Sequence, residues 1–578
     1  MVQYEYDRRS GKDVRFSRYP NHWDMLAFGL LAALLFSLAK GVSGLATPDG
    51  ILQDQAISLS YQSLPLYALY SVVRMFLALV VSCVVALTLG TMAARSSWAE
   101  TVIIPVVDVL QSVPILGYLR LAASFVIYIF PHRGLGFELV ALFAIFTSQV
   151  WNMLLSVYQS FKMLPESMHE ASAMMHLKRL QKFWRVDIPY AMPDLLMNMM
   201  ISLSAGWFYV VESEAIPLHG IQNNTYLLPG IGSYMWLAQQ AQDTYAMIAA
   251  LTAMFCVIII YDQLIFRPLS HLLRAYQSTD EDIDQRSWVV NLVMRTQWFR
   301  YGLSAISRST ASILLKASKY SSRYVYQRTP DMHRENENSL AKSLLSIACL
   351  GALIVAVYTL VQLVDARTVL WIVFCGACTA LRVFVVLALA IMIWLPVGVW
   401  IGLRPRVADW IEPVIQILAS FPPNLLYPMI YLVVLKYQLS FNIWCAPLMI
   451  LGTQWYILVN VIAGVRNIPR SLIDTAKNFH FGRRLFWQKL MLPSIAPYLV
   501  VGSIAAAGGA WNASIAAEVL SWGQSPVYAV GLGAFIDQSS GQVPLEVVGV
   551  AVMCAYVVLI NRFFWYPLFH YVEKHYAT

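Results

Sequence analysis

The sequence predicts an all-α polytopic membrane protein with about twelve transmembrane helices, arranged as two parallel six-helix repeats. Three observations predict it: an apolar composition, a series of long uncharged windows, and an internal repeat. Of 578 residues, 58% are hydrophobic and only 12% are charged, whereas a soluble domain carries roughly 25% charged residues. Too few charges remain to cover a globular surface, so most of the surface must face lipid. This composition excludes a disordered chain and a secreted disulfide scaffold.

The uncharged windows predict the individual spans, because a bilayer core needs roughly 20 apolar residues as helix. Residues 343–364, 75–94, 139–161 and 413–435 contain no charged side chain. Including weaker windows, the sequence predicts spans near 24–42, 69–94, 102–130, 137–160, 195–215, 244–266, 342–364, 375–402, 411–435, 441–465, 496–517 and 545–567. The third span contains Asp108, Pro114 and Arg120. It is therefore either a broken helix or a misplaced boundary.

Lysine and arginine placement predicts the orientation. Residues 1–20, 161–189, 276–340 and 466–493 hold five, five, nine and six of these residues, whereas 43–68, 212–243 and 518–544 hold none. The positive-inside rule then places both termini and the middle linker in the cytoplasm. The net charge of +8 is explained by this topology and gives no case for nucleic acid. Residues 1–46 also have the features of a cleaved signal peptide, although a retained first helix is favoured.

Two sets of six spans are copies of one another. Arg74 and Pro114 match Arg382 and Pro422 at a spacing of 308 residues. At a spacing of 304, matches are Pro165, His176, Pro189, Pro193 and Trp207 with Pro469, His480, Pro493, Pro497 and Trp511. Matched Pro, Trp and His in one order are not expected from apolar composition alone. Because each copy has an even number of spans, the copies run parallel.

The repeat divides the chain into five regions. These are a cytoplasmic N-terminal tail (1–23), a first repeat (24–275), a cytoplasmic basic linker (276–340), a second repeat (341–570) and a cytoplasmic C-terminal tail (571–578). The linker is compatible with an amphipathic helix on the anionic inner leaflet or with a solvated connection.

A polar cytoplasmic segment lies between the fourth and fifth spans of each repeat. The two read LPESMHEASAMMHLKRLQKFWRVDIPYAMP and IPRSLIDTAKNFHFGRRLFWQKLMLPSIAP. Each has a proline suited to starting a helix, an acid in the first turns with small residues beside it, and a basic aromatic stretch. Such a segment predicts a short helix on the inner membrane face that docks into another protein, with the aromatic residues Phe183, Trp184, Phe486 and Trp487 inserting into a groove.

These segments resemble the Glu-Ala-Ala…Gly…Leu-Pro signature of the membrane subunits of bacterial binding-protein-dependent ABC importers. In the first copy the matching residues are Glu170, Ala171 and Ser172, followed by His176. In the second they are Asp474, Thr475 and Ala476, followed by His480. Histidine replaces the signature glycine in both copies, which predicts a tighter or shifted turn, and Gly482 is a candidate substitute in the second. The resemblance implies a type I ABC importer permease fold, and it implies that these residues couple the chain to ATPases.

A second stretch resembles one branch of that superfamily. AWNASIAAEVLSWG at 510–523, followed by GLGAFI at 531–536, resembles the permeases for nitrate, sulfonate, taurine and bicarbonate uptake. The resemblance implies an oxyanion-like solute. The residues predicted to line its pathway are Arg74, Arg382, Glu214, Glu518, Trp207, Trp511 and Asn512. The first copy has Phe208 and Val210 where the second has Asn512 and Ser514.

The resemblance also implies the partners. No G-x-x-x-x-G-K-[ST] motif occurs, so no cofactor is expected on this chain by that loop. Two ABC ATP-binding subunits on the cytoplasmic side, with ATP and Mg²⁺, and an extracytoplasmic solute-binding protein are implied instead. The chain itself is expected to be no enzyme and to lie in the bacterial inner membrane.

Several residues admit two interpretations. Arg74 and Arg382 lie within apolar spans, where they either attract an anion or pair with an acid such as Glu212, Glu214 or Glu518. Cys375 and Cys378 form a CxxC inside a span, for which packing is favoured over metal or redox chemistry. His169 and His176 fit a docking surface better than a metal site. No catalytic or metal-ligating set stands out.

Two other function classes compete with the importer permease. An ion-coupled secondary transporter also often has two six-helix halves, but it usually needs acids near the membrane midplane, and here the acids cluster at span ends. An integral-membrane enzyme would need a catalytic constellation. The docking segments favour the permease.

Overall fold

The computed structural model describes residues 57–112, 114–129, 134–215, 227–269, 364–522, 525–539 and 542–576. The predicted spans near 24–42 and 342–364, the N-terminal tail and the linker lie outside these residues. By contact density the described chain forms two compact units. One contains segments 163–197 and 260–269, and the other contains the described parts of 57–162, 198–259 and 364–576.

The described part of the first repeat contains eight main helices, preceded by a 3₁₀ turn at Tyr61–Ser63. They are α1 (Leu64–Arg95), α2 (Ser97–Ser112), α3 (Ile115–Ile129), α4 (Gly134–Lys162), α5 (Glu166–Met174), α6 (Ile188–Glu214), α7 (Ile231–Gln240) and α8 (Thr244–Tyr261). A short helix, Arg179–Lys182, and a π-helical turn, Phe183–Asp187, lead into α6, and a second π turn, Asp262–Phe266, follows α8.

The second repeat follows the same order and adds a hairpin. Its elements are α9 (Ala366–Gly402), α10 (Pro405–Ser420), α11 (Tyr427–Lys436), α12 (Phe441–Arg466), α13 (Arg470–Asn478), α14 (Leu492–Ala517), β1 (Val519–Trp522), β2 (Ser525–Tyr528), α15 (Leu532–Gln538), α16 (Val543–Ile560) and α17 (Tyr566–Tyr576). Shorter turns are a 3₁₀ turn (Pro423–Leu426), a helical turn (Arg483–Leu485) and π turns at Phe486–Met491 and Asn561–Trp565.

Eight helices within the described residues are long and apolar enough to cross a membrane, or nine if the bent pair α10 and α11 counts as one span. The all-α polytopic prediction is confirmed, with one omission. Strands β1 and β2 pair antiparallel directly after α14, where only loop was expected.

Both third spans are broken, each at a proline. In the first repeat α2 ends at Ser112 and α3 begins after Pro114, which confirms the broken-helix alternative. In the second repeat α10 and α11 meet at a 75° bend. The prediction of one continuous span over 411–435 was wrong, because Pro422 and Pro423 remove two consecutive amide donors and the helix cannot continue through them.

Small residues set how closely the helices pack. A Cβ added to Gly90 in α1 would lie 3.0 Å from the side chain of Val157 in α4, and one on Gly398 in α9 would lie 2.7 Å from Val461 in α12. Both pairs match across the repeat, so the same close helix contact is built twice. Membrane helices commonly use small residues in this way, since lipid supplies no hydrophobic drive for association.

A continuous apolar core joins the two repeats within the larger unit. It is built mainly from α9, α12 and α14, and it includes buried residues of the first repeat such as Ile115, Leu119 and Ala144. The halves are therefore packed together through α3 and α4, which brings the broken third span of the first repeat against the second repeat.

Candidate functional site

Arg74 in α1 is completely buried between two carboxylates. Its Nε and Nη2 donate to both oxygens of Glu138 in α4, at 2.7 and 2.6 Å. Its Nη1 donates to Glu214 Oε1 in α6 at 2.8 Å and to the carbonyl of Pro229 at 2.9 Å. All three guanidinium nitrogens are thus engaged, as a buried arginine requires. The predicted alternative in which Arg74 pairs with Glu214 agrees with this geometry, and a role in the substrate pathway stays a prediction.

Arg382 in α9 occupies the matching place in the second repeat. Its Nη1 donates to Glu518 Oε1 at 2.7 Å, and its Nε donates to the backbone carbonyl of Asn442 at 3.2 Å. Asn442 stands where the first repeat has Glu138, at the 304-residue spacing. Arg382 therefore has one carboxylate partner in this cluster, and its side chain keeps 12% exposure.

The side-chain amide of Asn442 has a separate task. Its Oδ1 accepts from the backbone N–H of Val530 at 2.8 Å. The residue matching Val530 is Pro229, which has no N–H to donate. The first repeat instead uses the Pro229 carbonyl as an acceptor for Arg74. The replacement of Glu138 by Asn442 therefore goes together with the replacement of Pro229 by Val530, because the asparagine side chain accepts the N–H that the proline lacks.

The glutamate of each pair is held by the start of a short helix. Glu214 accepts from the Ser71 hydroxyl at 2.7 Å and from the backbone N–H of Gly232 at 2.9 Å. The equivalent bonds to Glu518 come from the Thr379 hydroxyl and the Gly533 N–H, both at 2.8 Å. The N-termini of α7 and α15 therefore face a buried carboxylate, where free N–H groups and the helix dipole favour negative charge.

Two glycines make this approach possible. A Cβ on Gly230 would lie 2.2 Å from the Glu214 carboxylate, and one on Gly531 would lie 2.2 Å from the Glu518 carboxylate. Both glycines have an extended backbone that any residue can adopt. Glycine is therefore needed here because a side chain would collide with the carboxylate, and not because of its backbone conformation. The G-I-G and G-L-G sequences at 230–232 and 531–533 follow from this packing.

Each broken third span contacts the fifth span of the opposite repeat. In one contact, Ile115, the first residue of α3, donates its backbone N–H to Oδ1 of Asn512 in α14 at 2.8 Å. Asn512, predicted as a pathway residue, therefore caps the helix that restarts after Pro114. At the matching positions of the opposite contact, Phe208 stands in place of Asn512 and Pro423 in place of Ile115, and Pro423 has no N–H to cap.

The second contact carries a row of polar side chains instead. Ser204 in α6 accepts from Gln416 Nε2 at 2.8 Å, and its hydroxyl lies 3.0 Å from that of Ser420. Two turns further along α6, Glu212 Oε1 accepts from Asn424 Nδ2 at 2.8 Å. Ser204 and Glu212 lie two turns apart on one face of α6, and their partners Gln416, Ser420 and Asn424 follow at four-residue intervals along α10 and into the 3₁₀ turn after it.

Trp207 and Trp511 are both buried, with 0% and 2% exposure. Trp511 lies against Tyr556, with the ring centroids 6.4 Å apart. Both indoles therefore belong to the packed interior of the fifth spans, and their predicted contact with a solute stays a prediction.

The two docking segments have the same local structure. Helix α5 follows Pro165 and α13 follows Pro469, as expected of a proline beside the first turn. Two residues after the end of each helix lies a histidine in the left-handed region, His176 at φ 49° and His480 at φ 50°. The residue after each histidine donates its N–H five residues back, Leu177 to Ser172 and Phe481 to Ala476, which is the Schellman pattern.

The histidines therefore occupy the position that the signature glycine holds, and the turn is not shifted. Gly482 does not substitute for His480, because its φ is −61° and it begins the next helical turn. The expected position of the acids also changes. Glu170 and Asp474 are each the fifth residue of a nine-residue helix, so they lie beyond the first turn, where the helix dipole acts most strongly.

Exposure separates the signature residues into two groups. Glu170, Ala171, Asp474 and Thr475 are exposed, whereas Ser172 and Ala476 are buried, with 6% and 4% exposure. The first two positions of each signature are therefore available to a partner, and the third packs within the chain. Ala476 belongs to the hydrophobic core, so a bulky residue at this position would disturb the packing of the helix against its own chain.

Apolar side chains accompany the exposed acids. Met168 and Leu472 match across the repeat and are 43% and 48% exposed, and the matching Met175 and Phe479 are 74% and 71% exposed. Phe486 and Trp487 instead pack against the core, so they are not free to insert into a groove. Trp184 keeps 47% exposure.

His169 lies beside a cation. Lys182 Nζ is 2.5 Å from His169 Nδ1. Partial burial, and then the nearby Lys182, lower the pKa of His169. Among the described residues no three His, Cys, Asp or Glu side chains come together as metal ligands, and Cys375 and Cys378 are free thiols in α9.

Sequence reasoning missed Glu138, the second carboxylate on Arg74. Glu138 directly precedes the uncharged window that begins at Leu139 and falls in the first turn of the span predicted near 137–160, where a charged residue does not stand out. The internal repeat could have indicated it. The arginines Arg74 and Arg382 match, whereas Glu138 aligns with an asparagine, so the two arginines have different surroundings. Asn424 was also missed, because its matching residue, Leu116, is apolar.

Taken together, the paired broken spans, the twin docking helices and the repeated Arg–Glu site define a two-fold repeated transport permease. The family model for the inner membrane component of binding-protein-dependent transport systems matches twice, over residues 86–267 and 394–570. These matches cover more than half of the chain, and the chain belongs to this family. It is a multi-pass membrane protein and an ABC transport permease.

Three curated relatives are similar to parts of it. The bicarbonate transport system permease protein CmpB of Synechocystis is 32% identical over 149 residues, 26% of this chain and 50% of that protein. The nitrate import permease protein NrtB of Leptolyngbya laminosa is 30% identical over 155 residues, 27% and 52%. The taurine transport system permease protein TauC of Escherichia coli is 25% identical over 197 residues, 32% and 64%. The chain spans about half the length of the first two.

Proposed function

We propose that this chain forms the complete translocation pathway of an ATP-driven importer for a small oxyanion-bearing solute. The observation that carries the proposal is the pair of docking helices, α5 and α13, with the same length, the same histidine cap and the same exposed positions. Two equivalent docking sites suit two equivalent ATP-binding subunits. The relatives named for bicarbonate, nitrate and taurine support the solute class.

Both termini and both docking segments face the cytoplasm in this proposal, because the lysine and arginine counts favour that side. The ATP-binding subunits then contact α5 and α13, and ATP and Mg²⁺ belong to those subunits. A solute-binding protein delivers the solute on the outer face. Since both halves are present in one chain, one copy per two ATP-binding subunits is sufficient.

Docking in this scheme uses exposed acids and apolar side chains together. Asp474 and Thr475 lie on the open side of α13, next to the exposed Leu472 and Phe479. A carboxylate beside apolar side chains offers a charged hydrogen bond at the centre of a desolvated patch, which is the arrangement that interface hot spots use. The buried Ala476 fixes the helix to its own repeat.

The test is co-purification of the full chain with candidate ABC ATP-binding subunits, together with native mass measurement. We expect one permease chain per two ATP-binding subunits. Replacing Ala171 and Thr475 with arginine should weaken the association without reducing the folded yield. Wild-type association by the double variant, or two permease chains per complex, would contradict the proposal.

A second experiment addresses the alternative of an ion-coupled transporter. Uptake into proteoliposomes should need ATP inside and the binding protein outside, and it should persist when proton and sodium gradients are collapsed. Uptake that follows an ion gradient in the absence of ATP-binding subunits would instead support the secondary transporter.

A further inference from the structure

An apolar groove lies between α8 of the first repeat and the second repeat, where α10 and α11 meet beside α12. Its volume is about 230 Å³, and its apolar lining includes Phe255, Leu418, Phe421, Leu426, Leu451 and Trp455. Phe255 and Leu418 are 41% and 40% exposed. The groove is therefore open along the side that these two residues form.

The lining determines which kind of molecule fits. Gln454 also lines the groove, but its side-chain oxygen already accepts from the indole Nε1 of Trp394 at 3.1 Å. Trp394 in turn packs against Trp455, with the ring centroids 5.7 Å apart. A charged solute would lose its hydration here and gain few hydrogen bonds in return. The space therefore suits a hydrocarbon chain.

The groove lies at the depth of the bilayer midplane. Leu451 is ten residues from Phe441, the first residue of α12, which is about 15 Å along the helix at a rise of about 1.5 Å per residue. The hydrocarbon core of a bilayer is about 30 Å thick, so one leaflet contributes about 15 Å. The ends of lipid acyl chains lie at this depth.

An exposed apolar stripe on α10 connects the groove to a basic end. Trp410, Val414 and Leu418 follow at four-residue intervals and are 83%, 53% and 40% exposed. Arg404 and Arg406, both exposed, flank the start of this helix. The twelve residues from Arg406 to Leu418 span about 18 Å along the helix, which is enough to cross one leaflet of about 15 Å.

The two arginines are available to an anion. Among the described residues, the ion pair on α10 joins Glu412 to Arg466, and neither Arg404 nor Arg406 takes part in one. Arg404 Nη1 donates to the Trp400 carbonyl at 3.1 Å, and its guanidinium lies 4.7 Å from the Trp400 ring centroid. In the proposed orientation this end of α10 faces the cytoplasm, where the anionic inner leaflet attracts basic residues.

The matching contact of the other repeat differs at these positions. Positions 404, 406 and 426 correspond to Ser96, Trp98 and Tyr118. The larger Tyr118 packs against Phe143, with the ring centroids 6.4 Å apart. The shared fold therefore does not require the two arginines, nor the open space beside Leu426.

We propose that this groove binds an acyl chain of an anionic phospholipid from the inner leaflet. The phosphate lies at Arg404 and Arg406, and the chain follows Trp410 and Val414 to Leu418 and the groove. The lipid then fills the space between α8 and the break that joins α10 and α11. This inference goes beyond the proposed function, because it concerns a resident lipid and not the transported solute.

The test is native mass measurement of the full-length chain released from nanodiscs that contain equal amounts of dioleoyl phosphatidylglycerol and dioleoyl phosphatidylcholine. The two lipids share their acyl chains and differ in headgroup charge. We expect one retained phosphatidylglycerol per chain, preferred about 30-fold, which is the ratio that two arginines near an anionic surface supply. Equal retention of both lipids, or no retained lipid, would overturn the proposal.

A double variant tests the headgroup site. Arg404→Gln combined with Arg406→Gln should lower the preference for phosphatidylglycerol to a ratio of about one. Arg483→Gln combined with Arg484→Gln is the matched control, because these two arginines are also exposed but lie outside α10. The control should keep the preference of the parent protein. The same loss in both double variants would show that the preference reflects total charge, which contradicts the proposed site.

A second variant tests the groove itself. Leu426→Tyr copies Tyr118 of the first repeat and places a larger side chain in the groove, so the retained phosphatidylglycerol should be lost. Val433→Tyr makes a comparable change at a position of α11 that is 51% exposed and does not line the groove, and it should retain the lipid. Parent-like retention by a folded Leu426→Tyr would place the lipid elsewhere.

Photolabelling of the parent protein gives an answer even if Leu426→Tyr fails to fold. The probe is phosphatidylglycerol with a diazirine near the end of one acyl chain, and we expect labelled peptides that contain Phe255, Leu418 or Leu451. Labels confined to other surfaces would overturn the proposal, and would mean that something else, such as the span predicted near 24–42, fills the groove. Neither measurement uses ATP-binding subunits, so failure here leaves the proposed importer function untouched.

Discussion

The two repeats build the same buried Arg–Glu site with different charge. In the first, Arg74 is fully buried and has two carboxylate partners, Glu138 and Glu214. In the second, Arg382 has one, Glu518, and remains partly exposed. The part common to both is the arginine, the glutamate, the hydroxyl and the glycine-started helix. That common part ties the second span, the fifth span and a short helix together, so it serves the fold of each repeat.

The differences are concerted across neighbouring residues. Asn442 replaces Glu138 where Val530 supplies an N–H that Pro229 lacks, and Asn512 replaces Phe208 where Ile115 supplies an N–H that Pro423 lacks. In both cases the side chain follows the hydrogen-bonding capacity of a backbone group opposite it. Repeats of this kind diverge in linked sets of residues, since a buried donor or acceptor must keep a partner.

The largest expected effect comes from removing the arginine of the first repeat. Arg74→Leu leaves two carboxylates buried without their cation, which costs roughly 3–5 kcal/mol. Arg382→Leu leaves one carboxylate that still has a hydroxyl and a backbone donor. We therefore expect a much larger loss of folded protein and of melting temperature in detergent for Arg74→Leu. Equal losses would mean that the extra carboxylate does not set the difference between the repeats.

The second prediction tests whether each pair acts as a unit. Glu518→Gln and Arg382→Gln should each destabilise the chain, and the double variant should be less destabilised than the sum of the two, by about 1–3 kcal/mol. The same cycle on Arg74 and Glu214 should show weaker relief, because Glu138 would still lack its cation. Thermal melting of the four single variants, the two double variants and the parent protein measures both cycles. Strict additivity would show that the ion pairs are not coupled.

The third prediction concerns the glycine that precedes each short helix. Gly230→Ala and Gly531→Ala each place a methyl group into a carboxylate 2.2 Å away, which overpacks a buried site and costs about 1–3 kcal/mol. Gly230→Ala should be the more harmful, because Glu214 there is fixed by a fully buried arginine. Gly482→Ala is a suitable control, since nothing lies within 4 Å of its added Cβ. The measurement is the melting temperature of the three variants, which should be lowest for Gly230→Ala, higher for Gly531→Ala and close to that of the parent for Gly482→Ala.

The fourth prediction separates docking from folding. Ala171→Arg and Thr475→Arg lie on exposed positions, so each should keep the folded yield and reduce ATPase association and binding-protein-stimulated ATP hydrolysis. Ala476→Arg adds a long charged side chain to the core and should reduce the folded yield itself. Equal folding of all three variants, with loss of ATPase association in Ala476→Arg alone, would contradict this assignment. It would mean that the side of α13 with Ala476, and not the side with Thr475, contacts the ATPase.

The sequence predicts much of the fold because its signals are long and repeated. Of the ten predicted spans that fall in the described residues, eight are helical without a break, and those over 102–130 and 411–435 are each broken at a proline. Long uncharged windows admit few alternatives to helix in a bilayer. The breaks at Pro114 and Pro422 follow from residues that cannot continue a helix. The pairing of Arg74 with Glu214 was one of two interpretations, and composition does not decide between them.

The remainder depended on contacts between distant residues. Glu138 and Asn424 act through partners 64 and 212 residues away, and neither has a local pattern. The burial of Ala476 beside the exposed Thr475 depends on which side of α13 packs inward. Single-sequence periodicity over nine residues is too short to fix that side. An alignment of the two repeats could have identified Glu138, because it shows which charged residues of one repeat have no charged counterpart in the other.

The smallest expected effect concerns the histidines that end α5 and α13. A non-glycine residue in the left-handed region costs roughly 1–2 kcal/mol, and histidine is among the side chains found there more often than most. Replacing His176 or His480 with glycine removes that strain, while the greater freedom of glycine in the unfolded chain offsets about 0.5–1 kcal/mol of the gain. We therefore expect each variant to be neutral or stabilised by less than about 1 kcal/mol. His176→Val and His480→Val should be clearly destabilised, because a β-branched side chain does not tolerate the left-handed backbone conformation.

Hydrogen exchange of the amides of Leu177 and Phe481, which close the two caps, reports each turn separately. Because the caps are the same in both repeats, the two glycine variants should behave alike, and a large difference between them would show that the two docking helices are not equivalent.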